Sequence, residues 1–255
     1  VSIDGVVLYE QDSAEFVGSQ FVSIDSIDLL AFVGQTVQLE FRLSTKGAVN
    51  AAVQIDNVSI SSADHASLFF QGNSTASYLD ANGNVINLSL KGPGTGEIIL
   101  SPLGLSDAIH IILDGTTDRS TVNLKTNGAI TTVGQVTVRN GVLKEFKAPN
   151  ADLLDGFQST GTVTKMTWRD VAAGYTRIDV GGNAQSKPAR LTFRSVTDLD
   201  LKINTSVHEF SATQWLQETV TQNRFESGGA RSIKVPGGVG DVTWDILGGA
   251  QSITI

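Results

Sequence analysis

The feature that most constrains how this 255-residue chain can fold is a ragged repeat in its second half. The phrase is short and β-rich: an apolar residue, one or two polar residues, then another apolar or aromatic residue. It occurs at Val142–Phe146, Val163–Met166, Val207–Phe210 and Arg231–Val235. The copies lie roughly 20 to 40 residues apart, a spacing that predicts turns of a β-solenoid. In a solenoid each coil buries its apolar side by stacking on its neighbours, so the expected product is a rod or a surface rather than a pocket built around one reaction.

Composition supports strands over helices. Gly is frequent at 26 residues, Pro rare at 5, and Ser, Thr, Val and Asn recur. Thr176–Val180, Ala189–Phe193, Asp200–Ile203, Asp241–Ile246 and Ser252–Ile255 read as short strands bounded by Gly, Asn or Asp. Asn82-Gly83 marks a hairpin turn. The surrounding Asp80–Asn84 loop has some look of a calcium loop. Its Gly falls at the wrong place for an EF-hand and no distal Glu follows, so it reads as a turn. Only Ser211–Glu218 reads as one or two helical turns, capped by Ser211 or Thr213.

The N-terminal quarter carries a different pattern. Val37, Leu39, Phe41 and Leu43 alternate with Gln38, Glu40 and Arg42, and Ala52–Ile60 alternates likewise. This predicts an antiparallel sheet with one wet face. The segment Ile27–Leu43 followed by Ala51–Ser61 resembles the last strands of bacterial jelly-roll domains, a class that includes many carbohydrate-binding modules. The matching positions are Gly34, Thr36, Val37, Leu39 and Phe41, then Ile55, Asp56, Asn57, Val58 and Ile60. Too few strands fit before residue 61 for a complete eight-stranded jelly roll. The resemblance also implies calcium: such modules place an Asp near the last strand, where Asp56 stands, and Asp4 or Glu10 could add oxygen ligands. The competing reading is a solvent-facing strand residue.

A second resemblance spans residues 76–255. Asn87–Leu100, Ile109–Thr126, Ile130–Leu153 and Gly161–Gly182 resemble segments of large secreted surface proteins of planctomycete-type bacteria. The resemblance implies a right-handed parallel β-helix and a place outside the cell.

Charge and residue usage exclude several classes. The net charge is −8, charged residues are 17% of the chain, and Lys and Arg do not cluster. This argues against nucleic acid and anionic membranes as partners. No apolar run approaches the ~20 residues of a membrane span, so no membrane insertion is expected. The absence of cysteine excludes disulfides and thiolate sites. The chain opens on a strand-like pattern without Met and ends on a strand, so it reads as the middle of a longer precursor.

Catalytic candidates are sparse. His65, His110 and His208 are far apart and lack partners at metal-ligand spacing. There is no Gly-x-Ser-x-Gly elbow, and Gly92–Gly96 lacks the Lys of a phosphate loop. Carboxylate pairs of the kind used in glycoside hydrolysis are Asp152 with Asp155, Asp198 with Asp200, and Asp241 with Asp245. An alternating polar strand face accounts for them equally well. Trp168, Trp215 and Trp244 sit in successive phrases, where they either line a sugar-stacking ladder or fill the core. Asn57, Asn73, Asn87 and Asn204 are Asn-x-Ser/Thr acceptors of a kind expected by chance in so Ser/Thr-rich a chain.

The sequence therefore predicts an all-β protein: a partial jelly-roll or β-sandwich module at 1–61, a linker or first coil at 62–76, and a right-handed parallel β-helix-like body at 77–255. The expected role is structural, non-enzymatic and extracellular, as a unit of a bacterial surface layer, stalk or fibre that self-associates into a filament or lattice. The alternative is a carbohydrate-binding or adhesion module, with a polysaccharide lyase or hydrolase behind it. No cofactor is expected other than calcium.

Overall fold

The computed structural model describes residues 2–3, 6–7, 39–40, 66–101, 108–171, 176–183, 185–218 and 223–255. The chain divides into two compact units, 1–61 and 62–255. In the first, β1 (Ser2–Ile3) pairs antiparallel with β2 (Val6–Val7) and with β3 (Leu39–Glu40). Asp4, Glu10, Asp56 and the jelly-roll positions other than Leu39 lie outside the described residues, as does His65.

The second unit opens with two antiparallel hairpin layers. β4 (Ser67–Gln71) pairs with β7 (Thr95–Leu100), and β7 with β8 (Ala108–Asp114). β5 (Ser74–Leu79) pairs with β6 (Val85–Lys91), and β6 with β9 (Thr121–Thr126). The β5–β6 turn is closed by Asp80. Its Oδ1 accepts the main-chain N–H of Asn82 (3.0 Å) and Asn84 (2.7 Å), and Oδ2 accepts from Asn84 Nδ2 (3.0 Å).

From β8 onward the pairing turns parallel, and about seven coils stack over residues 108–254. The strands are β10 (Thr131–Arg139), β11 (Leu143–Ser159), β12 (Val163–Val171), β13 (Thr176–Val180), β14 (Ala189–Thr192), β15 (Ser195–Thr197), β16 (Leu199–Ile203), β17 (Val207–Ser211), β18 (Gln214–Leu216), β19 (Asn223–Ser227), β20 (Ala230–Lys234), β21 (Val242–Ile246) and β22 (Ala250–Thr254). They form three stacks. Wall A joins β8, the end of β10, the end of β11, β13, β16, β19 and β21. Wall B joins β9, the start of β11, β12, β14, β17, β20 and β22. Wall C joins the start of β10, the middle of β11, the end of β12, β15, β18 and a bridge at Val239.

In-register stacking places like on like. Inward on wall A stand Ile111, Val136, Phe157, Ile178, Leu201, Phe225 and Trp244. Inward on wall B stand Val122, Phe146, Met166, Leu191, Phe210 and Ile233. Apart from Trp244, which is partly buried, all of these are buried in one continuous core. The four copies of the sequence repeat all belong to wall B. The intermediate copy is β14, where Leu191 pairs with both Met166 and Phe210. With it included, partners such as Glu145, Lys165, Arg190, Glu209 and Ser232 lie 19 to 25 residues apart.

The helix expected at Ser211–Glu218 is not formed. β17 ends at Ser211 and Gln214–Leu216 is a wall C strand. Burial of the Trp215 ring and pairing of Gln214–Leu216 with Ser195–Thr197 outweigh a weak local helix preference. Among the described residues every regular element is a strand, and no helix is long and apolar enough to cross a membrane.

Candidate functional site

The outward positions of wall A hold a grid of charge. Arg177, Asp200 and Arg224 form one column, and Asp179, Lys202, Glu226 and Asp245 the next. Each charge meets opposite neighbours: Arg177–Asp179 at 2.9 Å, Arg177–Asp200 at 3.9 Å, Lys202–Glu226 at 3.2 Å, Arg224–Glu226 at 3.0 Å and Arg224–Asp245 at 2.7 Å. Wall B adds Lys165–Glu145 at 2.9 Å and Lys234–Glu209 at 2.7 Å.

Wall C differs. Its outward column runs Thr132, Asp152, Asp170, Ser195, Gln214. Two carboxylates thus lie on adjacent strands, one coil apart, where bare charges would repel. Arg169 bridges them, with Nη1 3.2 Å from Asp152 Oδ2 and Nη2 3.0 Å from Asp170 Oδ2. Arg194 forks onto Asp170: Nε donates to Oδ1 at 2.8 Å and Nη2 donates to Oδ2. Main-chain bonds hold the two arginines on one corner. The N–H of Arg194 donates to the carbonyl of Arg169 (2.6 Å), and that of Thr213 to the carbonyl of Arg194 (2.8 Å).

Burial pushes the Asp152 carboxyl above the usual carboxylate range. Arg169 opposes this, Asp170 adds to it, and Arg194 and the Asp170 N–H oppose it again. Asp152 Oδ1 and Arg169 Nε are both buried without a hydrogen-bond partner. Beside the cluster lies a cleft of about 480 Å³. It is lined by Asp152, Asp170, Val171, Arg194, Ser195, Thr197, Thr213 and Gln214. Gln214 Nε2 donates to Ser195 Oγ at 3.1 Å. Both oxygens of Asp170 are engaged by guanidinium groups, so the cluster presents a neutral, preorganised polar surface rather than a free carboxylate.

The other candidate pairs do not converge. Asp155 is exposed, while Asp152 is bridged to Asp170 instead. Asp198 sits at a corner with φ of 50°, buried, its Oδ1 accepting the N–H of Glu218 at 3.0 Å. That conformation breaks the strand alternation that would have set it beside Asp200, which belongs to the wall A grid. Asp245 belongs to the same grid, and Asp241 precedes its strand.

The indoles belong to the interior, not to an outer ladder. Trp168 and Trp215 are 2% and 0% exposed. Trp168 stacks on Phe146 at 5.0 Å, and Trp244 packs on Phe225 at 5.4 Å and on Trp215 at 5.8 Å. A sugar-stacking surface of Trp168, Trp215 and Trp244 is thus replaced by core filling, because all three fall on inward positions. His110 Nε2 shares a 2.8 Å hydrogen bond with Thr137 Oγ1. Its pKa is lowered by burial and by Arg139, against an opposing pull from Glu97. Among the described residues no three His, Asp or Glu are grouped to hold a metal ion.

No protein-family model matches this chain, and neither a curated protein nor a solved structure shows significant similarity to it.

Proposed function

We propose that this chain is a non-enzymatic structural segment of an extracellular assembly, a building unit of a bacterial surface layer, stalk or fibre that associates with further copies. The observation that carries the reading is the outer surface of the stacked coils, where most charged side chains of walls A and B neutralise one another. A surface satisfied internally over so much of its area suits a load-bearing or space-filling element. Stacked coils also propagate stability from neighbour to neighbour, which suits a repeated mechanical unit. The exterior of a bacterial cell is proposed as its place on the sequence resemblance of residues 76–255 alone.

The test is electron microscopy and sedimentation of the purified chain across a wide concentration range. Filaments or ordered sheets that grow with concentration are expected. A chain that stays monomeric throughout while releasing sugars from a polysaccharide would overturn the reading.

A further inference from the structure

The geometry points to the wall C cleft as a binding site for a neutral oligosaccharide. In this cleft outward polar groups surround a volume instead of pairing flat against a wall. Its roughly 480 Å³ lies within the range of about 300–1,000 Å³ typical of small-molecule sites. Its lining comes from four successive coils, at Asp152, Asp170, Ser195 and Gln214. At about 4.8 Å per coil the site extends about 14 Å along the stack, which favours an elongated ligand.

Charge decides the class. Asp152 and Asp170 are balanced by Arg169 and Arg194 within hydrogen-bonding distance, so the cluster carries no net charge. Such a site has no field to gather phosphate, sulfate, uronate or a metal cation. What it offers is a fixed array of donors and acceptors: the exposed guanidinium of Arg194, the hydroxyls of Ser195, Thr197 and Thr213, and the amide of Gln214. Sugar hydroxyls both donate and accept, and a neutral polyol pairs with such an array without bringing an uncompensated charge into it. No tryptophan reaches this surface, so binding rests on hydrogen bonds and is weak at a single site. The inference stands whether or not the chain polymerises. Arg169, behind the cleft, is a positioning residue: it bridges Asp152 and Asp170 and so holds the carboxylate that Arg194 grips.

The test is ligand-observed NMR of the purified chain with neutral cello-, xylo-, manno- and malto-oligosaccharides. Saturable binding with a dissociation constant on the order of 1 mM is expected for at least one series, insensitive to salt. Thr213→Ala combined with Gln214→Ala should weaken it at least tenfold at unchanged melting temperature. Lys202→Ala on wall A should leave it unaltered. No saturation by any neutral series would overturn the inference. So would binding that survives the double substitution, or preference for acidic sugars with steep salt dependence. Release of new reducing ends would recast the cleft as catalytic and equally overturn it.

Discussion

At the scale of single residues, buried polar groups show how the core tolerates them. Asn223 is 2% exposed, and its Oδ1 accepts both the indole N–H of Trp215 (3.1 Å) and the N–H of Leu199 (2.9 Å). Asn223→Ala leaves two buried donors unmatched and should lower unfolding free energy by about 2–4 kcal/mol in urea titration. Trp168 is the contrast, since its indole nitrogen is buried without a partner. Trp215→Phe should therefore cost more than Trp168→Phe, by about 1 kcal/mol, and equal losses would refute this role for Asn223. Two carboxylates carry opposite pH signatures. Burial raises the pKa of Asp80, but the hydrogen bonds from Asn84 and Asn82 outweigh it, so the folded value lies below 3.8. Its stabilisation is complete above 3.8 and is lost as pH falls through the lowered folded value. The gap between wild type and Asp80→Asn should close in acid. Asp152 has a raised folded value, so wild type should lose stability relative to Asp152→Asn as pH climbs from 3.8 through that value. Melting temperatures across pH 2.5–7 separate the two trends (about one pH unit either side of the carboxylate range suffices).

At the scale of elements, the corners between coils set the stacking as firmly as the walls do. A Cβ on Gly161 would collide with the carbonyl oxygen of Gly141, one coil earlier, a contact with backbone that cannot swing aside. Gly161→Ala should push the coils apart there and cost more than 2 kcal/mol in urea titration, about the scale of core overpacking. The charge grid of wall A makes a different prediction. Arg224→Glu sets a third negative charge beside Glu226 and Asp245, so the melting temperature should fall at low salt and recover toward wild type near 1 M salt, where the Debye length is about 3 Å. A loss that salt does not repair would show that the arginine acts through packing. These elements were unequally legible in the sequence. The wall B repeat can be read because its apolar residues are large and sit beside Lys or Glu. Its β14 copy, Ala189–Thr192, begins on a small residue and sets Arg190 25 positions after its partner Lys165, which blurs the period. The wall A strand Thr176–Val180 was visible as a strand, and Leu199–Ile203 was visible from Asp200 onward. Their charge complementarity appears only once Arg177 is set against Asp200. The cleft was hidden for the same reason: Asp152 and Asp170 are 18 residues apart, and coil length varies too much to align them without the register. Ser211–Glu218 misled because a short wall C strand needs only three residues, too few to show a period of two.

At the scale of the molecule, the two ends of the coil stack are unlike. At one end the stack is continued by antiparallel strands, and Leu88, Leu90 and Ile98 in them are fully buried. At the other, β21 and β22 have a strand partner on one side only among the described residues, and every residue of β22 is exposed. Stability in such a stack is close to a sum of coil and interface contributions, so an end coil with one interface opens before a middle coil with two. Hydrogen exchange should resolve this as a gradient. Amides in β21 and β22 should exchange through local opening at a small fraction of the global free energy, while those of β11–β16 exchange only on global unfolding. The antiparallel strands β6 and β7 should behave like the middle, since each is bonded on both sides and buried within. Adding a neutral oligosaccharide should slow exchange across β15 and β18, which line the cleft, and leave the gradient toward β22 unchanged. Uniform protection from β6 to β22 would mean that the unit unfolds as one block, and the additive picture of its coils would fail.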